Sequence, residues 1–79
     1  MANGYNGWKN YETWNVALWL GNDEMLYRLA RNAARGTRTP YRDLVAMLAR
    51  QGITATPDGV AYDDASISLS EMNADLREM

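Results

Sequence analysis

The sequence has neither cysteine nor histidine. Without thiols there is no disulfide staple, thiolate metal site or cysteine nucleophile, and without imidazole the Ser-His-Asp triad and histidine-bound zinc are excluded as well. Phenylalanine is also absent, while tryptophan occurs three times and tyrosine five. Every aromatic ring except for its polar tip is apolar, a residue type suited to places where one end is dry and the other meets water or a partner. No apolar run approaches the roughly 18 residues of a membrane span. The opening residues Met-Ala-Asn-Gly-Tyr-Asn-Gly lack the basic and apolar regions of a signal peptide, so the expected location is cytoplasmic, with no membrane partner. A chain of 79 residues is one small domain, 1–79, with 1–7 read as a flexible lead-in. A core of that size supplies only about 3–5 kcal/mol. No Gly-rich phosphate loop or spaced Asp/Asn/Glu cation loop occurs. Neither a cofactor, a metal nor a catalytic residue is expected, and the chain is not read as an enzyme.

What is present is charge, sorted along the chain. The formal net charge is −2. Residues 1–24 carry −2, residues 25–50 carry +5 from six arginines against Asp43, and residues 51–79 carry −5 from six acids against Arg77. Such asymmetry points to an electrostatic partner or to blocks that neutralise each other across the fold.

Local signals predict an α+β domain: three helices, a short β-hairpin and a C-terminal helix. Asn10 is a candidate N-cap for a helix over 11–20 that ends at Gly21, with Tyr11, Trp14, Ala17 and Leu18 on one apolar face. Asn22 would cap a second helix to residue 35, ended by Gly36, burying Leu26, Leu29, Ala30 and Ala33. Thr39-Pro40 opens a third, with Tyr41, Leu44, Val45 and Leu48 inward and Gly52 as the stop. Ile53 to Thr56 is β-branched, Pro57-Asp58-Gly59 is turn chemistry and Val60 to Tyr62 is extended, which together predict a hairpin. Ser68 and Glu71 form a capping box for the last helix, with Ile67 and Met72 placed as a hydrophobic staple and Leu69, Met72 and Leu76 inward.

Two features carry candidate binding. Arg28, Arg31 and Arg35 recur at i, i+3 and i+7 on one helix, and Arg38 and Arg42 continue the series. Guanidinium forks suit phosphate or carboxylate, so this stripe fits nucleic acid, an acidic protein surface or the acidic tail of the same molecule. Six of the eight aromatics lie within the first 27 residues. Trp8 and Trp14 read as core. Trp19 and Tyr5 read as interface residues, since Trp, Tyr and Arg dominate binding hot spots. Asp63, Asp64, Glu71 and Asp75 form a secondary acidic candidate that could imitate a row of phosphates.

Gly7-Trp8-Lys9-Asn10-Tyr11-Glu12-Thr13-Trp14-Asn15-Val16-Ala17-Leu18-Trp19-Leu20, with Asn22-Asp23-Glu24 and Leu26-Tyr27 after it, resembles the opening motif of a family of small proteins encoded by phages, prophages and plasmids. Asp58-Gly59-Val60-Ala61-Tyr62 resembles that family's Asp-Gly-Val-x-aromatic segment, while Met25 stands where relatives would carry Gly. The chain is also similar to a small anti-CRISPR protein acting on type I-C systems. That resemblance implies stoichiometric binding to a host CRISPR-Cas effector subunit, in the backbone of the Cascade complex or beside it, which blocks recruitment of target DNA. It carries over no binding residue. The alternative expectation is a small nucleic-acid-binding accessory or regulatory protein of a mobile element.

Overall fold

A computed structural model describes residues 4–79. Residues 1–3 of the expected lead-in lie outside the described residues. Among the described residues, four helices make up the architecture: α1 (Tyr11–Asn22), α2 (Glu24–Ala33), α3 (Pro40–Arg50) and α4 (Leu69–Arg77). α2 touches the other three, and α4 closes the far side by packing on α1, α2 and α3. Among the described residues no helix is long and apolar enough to cross a membrane.

The caps explain the boundaries. Asn10 Oδ1 accepts from the Thr13 amide at 2.9 Å and from the Thr13 hydroxyl at 2.6 Å, which starts α1. Gly21 does not stop it. The helix continues to Asn22, and the next residue, Asp23, serves both neighbours: its amide donates to Trp19 O at 3.0 Å, and its carboxylate accepts from Leu26 N at 3.0 Å. Asp23, not Asn22, is therefore the cap of α2. α3 ends on a Schellman turn, with Gly52 at φ +80°. The Gly52 amide donates to Ala49 O and the Ile53 amide to Leu48 O, at 3.0 and 2.9 Å. Ser68 Oγ accepts from Glu71 N at 3.2 Å and starts α4. The return half of the capping box goes elsewhere: Glu71 Oε1 accepts from Lys9 N at 2.9 Å, and the Ser68 amide donates to Thr13 Oγ1 at 3.0 Å.

The fold class departs from α+β. Among the described residues there is no sheet, only isolated antiparallel bridges at Tyr5–Trp8 and Ala55–Ala61. The Pro57-Asp58-Gly59 turn forms, with Thr56 N donating to Val60 O at 2.8 Å and Tyr62 N to Thr54 O at 3.0 Å. Pairing goes no further because flanking groups are engaged. Ile53 N completes the α3 cap, and Thr56 turns inward to a helix side chain. The domain is mostly helical, with an irregular loop where the hairpin was expected.

The core contains Val16, Leu20, Leu26, Ala30, Leu44, Leu48, Met72 and Leu76, with Ile67 and two tyrosines, Tyr41 and Tyr62. The Tyr41 hydroxyl donates to Tyr62 O at 2.5 Å, and its amide donates to Asn73 Oδ1 at 2.9 Å. Burial pushes the Tyr41 phenol far above its ordinary range, and Tyr62, Asp63 and Asp64 push it the same way. The expected inward face of α1 is corrected. Thr13, Val16 and Leu20 face in at i, i+3 and i+7, with Asn15 beside them. Trp14 is half-buried and Tyr11 exposed. Their rings pack instead on Tyr5 of the N-terminal turn, at centroid distances of 4.9 Å for Trp14 and 5.4 Å for Tyr11. Leu69, expected inward on α4, is exposed.

A candidate binding cleft between α2 and α4

Arg28 and Arg31 lie on one flank of α2, and Arg35 follows in the turn beyond it, because the helix ends at Ala33 and not at residue 35. They line a cleft of about 490 Å³ whose other wall is the end of α4, with Arg77 among the lining residues and Ala34, Leu76 and Met79 supplying apolar surface. Arg77 belongs to the acidic third of the sequence, so only the packing of α4 on α2 reveals it as a member of the set. Its guanidinium donates to Arg38 O at 2.9 Å. Arg38 thus contributes a carbonyl that holds Arg77. Arg28 is bridged to Glu24 at 2.6 Å, an exposed i, i+4 pair of the kind that stabilises helices only slightly. Arg31 lies 5.8 Å from the Tyr27 ring centroid. Four guanidiniums beside an apolar floor can take carboxylates or phosphates in bidentate fashion, with an apolar contact beneath.

Arg42 lies apart from this cleft. It lines a smaller, mainly apolar pocket of about 260 Å³ together with Asp63, Asp64, Tyr41, Tyr62 and Leu69. There the basic and acidic blocks do meet. The Asp64 carboxylate is itself held by Ser66, through the amide at 2.8 Å and the hydroxyl at 2.5 Å, and those bonds keep it below the usual carboxylate range. Glu71, tied to the Lys9 amide as above, and Asp75 are one turn apart on α4 and line one shallow concavity, away from Asp63 and Asp64. The four acidic candidates therefore do not form one row. Tyr5 is exposed within its ring cluster. Trp19 is half-buried, and its indole N–H donates to Asp58 Oδ2 at 2.9 Å.

That last bond belongs to a network that sequence reasoning missed. Asn15 Nδ2 donates to the same Asp58 oxygen at 2.8 Å, and the Thr56 hydroxyl donates to Asn15 Oδ1 at 2.7 Å. The Val60 amide in turn donates to Thr56 Oγ1 at 3.1 Å. The signal in the sequence is an Asn in the middle of an apolar helix; the structure buries it fully, and a buried amide requires partners. The Trp-rich opening segment and the Asp-Gly-Val segment thus meet, and part of their shared pattern holds the fold together.

A family model matches residues 1–79. The chain belongs to DUF7249, a family of unknown function. No curated protein and no solved structure matches this DUF7249 member.

The hydrogen bonds from Asn15 and then Trp19 hold the Asp58 carboxyl below its ordinary value of 3.8. The sign follows from linkage: a depressed folded-state value contributes stability that is present above pH 3.8 and is lost as pH falls through the folded-state value. Asp58→Ala is expected to lower the melting temperature at neutral pH, with the gap to the parent closing on acidification. Thermal melts followed by circular dichroism across pH 2–7 measure both, and a constant gap would exclude the carboxylate as the cause.

Proposed function

We propose that this DUF7249 protein is a stoichiometric inhibitor that binds a host defence complex through the α2–α4 cleft. The complex in view is type I-C Cascade, with an acidic surface of one protein subunit seated on Arg28, Arg31, Arg35 and Arg77, and target DNA recruitment blocked as a result. The observation that supports this reading is the cleft itself, four guanidiniums around an apolar floor on a protein of net charge −2. Arg beside apolar surface is a common composition of binding hot spots. The overall negative charge favours an acidic protein surface over extended nucleic acid, whose binders usually have a basic domain. The motif resemblance supplies the identity of the complex.

Arg28, Arg31 and Arg35 are exposed, so reversing all three to Glu leaves the core untouched. The triple variant is expected to fold like the parent and to bind purified Cascade at least about tenfold more weakly, a loss of about 1.4 kcal/mol or more. Titration calorimetry with the assembled complex measures it, and unchanged affinity would remove the cleft from the interface. The second reading, a nucleic-acid-binding protein of a mobile element, uses the same arginine row as phosphate contacts. A mobility shift with single- and double-stranded DNA separates the two, since phosphate binding weakens steeply with added salt.

A further inference from the structure

Beyond the basic cleft, the same end of the molecule carries a second concavity of opposite sign. Trp8 and Trp14, with Tyr27 from α2, wall a groove of about 460 Å³, and Asp75 of α4 and Glu78 just after it form its acidic edge. Met79 lines both this groove and the basic cleft, so the two lie side by side on either flank of the end of α4. Among the described residues, the only ion pair is Arg28–Glu24, which leaves Arg31, Arg35, Asp75 and Glu78 without an oppositely charged partner. Asp75 is also partly desolvated and repelled by Glu78, and both effects raise its carboxyl above the ordinary range. A cation delivered into the groove would relieve that repulsion and could stack on the aromatic walls.

Patches of opposite sign flanking one ridge are self-complementary. A two-fold axis parallel to the ridge, lying between two facing copies, sets each basic patch against the other copy's acidic one, the isologous arrangement of cyclic dimers. A standard interface takes about 800 Å² from each partner, roughly one sixth of the 4842 Å² that the chain exposes. We propose that this end of the molecule is the face through which two copies of the chain pair, the cleft of each receiving the acidic edge of the other's groove. Pairing would occupy the cleft assigned above to an inhibited partner, so the free protein would be a stored form that must separate to act. The pairing itself does not depend on that assignment, because it is tested with this protein alone.

Sedimentation equilibrium of the full chain distinguishes an 8.9 kDa monomer from its dimer. A dimer is expected near 0.1 M salt and a shift to monomer near 1 M, where the Debye length falls from about 10 Å to about 3 Å. R31E/R35E and D75R/E78R are each expected to pair with themselves at least roughly tenfold more weakly than the parent, and to form a heterodimer when mixed. If D75R/E78R does not fold by circular dichroism, E78R, at an exposed position, replaces it. A parent that stays monomeric at millimolar concentration and low salt overturns the proposal. So does a mixture of the folded variants that forms no heterodimer, or a dimer indifferent to both charge reversals.

Discussion

Tyr41→Ala is expected to cost about 3–5 kcal/mol, the range for emptying a buried aromatic site. A core of this size supplies only about 3–5 kcal/mol, so the loss is as large as that whole contribution and the variant would sit near the threshold of folding. Tyr41 combines full burial with a structural bond: its ring lies in the core, and its hydroxyl satisfies the Tyr62 carbonyl in the loop. Tyr41→Phe isolates the second contribution and is expected to cost about 1 kcal/mol. Urea unfolding of both variants measures the difference. Trp14→Ala, by contrast, is expected to cost clearly less than Tyr41→Ala, since Trp14 is half-buried against Tyr5 and Tyr11. Equal losses at the two positions would contradict this assignment of the core.

The same residue predicts an alkaline limit. An unfolded tyrosine ionises at its ordinary value of 10.0, whereas burial keeps Tyr41 protonated to higher pH, and Tyr62 is shifted the same way. Above pH 10 the unfolded chain therefore binds fewer protons than the native one, and stability falls as pH rises. Below pH 10 that contribution is fully present. Tyr41→Phe should flatten part of the alkaline decline in urea midpoints measured from pH 8 to 12.

Asn15→Ala is the second large loss expected, about 2–3 kcal/mol, because it strands a buried hydroxyl on Thr56 and leaves Trp19 as the one remaining α1 donor to Asp58. Its effect should be cooperative with Thr56→Val. In a double-mutant cycle, the pair should cost less than the sum of the single changes, because each already breaks the same bond. Strict additivity would mean that the two side chains act separately.

These positions also show what could be read from the chain alone. Asn10, Pro40 and Ser68 were legible as helix starts because a cap is a local event between residues a turn apart. Arg28 and Arg31 on α2 were legible as neighbours for the same reason, being a matter of helical period, whereas Arg35 falls in the turn after the helix. The inward face of α1 was not, because apolar residues surround that helix and its polar Thr13 and Asn15 are the ones buried. The hairpin failed because β-branched composition said nothing of the competing uses of Ile53 N and Thr56 Oγ1. Arg77 was hidden because its neighbours come from α2, far away in sequence.

A single residue, Asp23, joins α1 to α2. With its amide and its carboxylate each bonded to a different helix, that corner works as a bracket and not as a hinge. Trp14 on one arm and Tyr27 on the other are thereby held at a set spacing before anything docks. Flexible backbone costs about 1–2 kcal/mol per residue to immobilise. A corner with no slack spares an incoming surface most of that ordering cost, so rigidity at one aspartate becomes affinity at a site several side chains away.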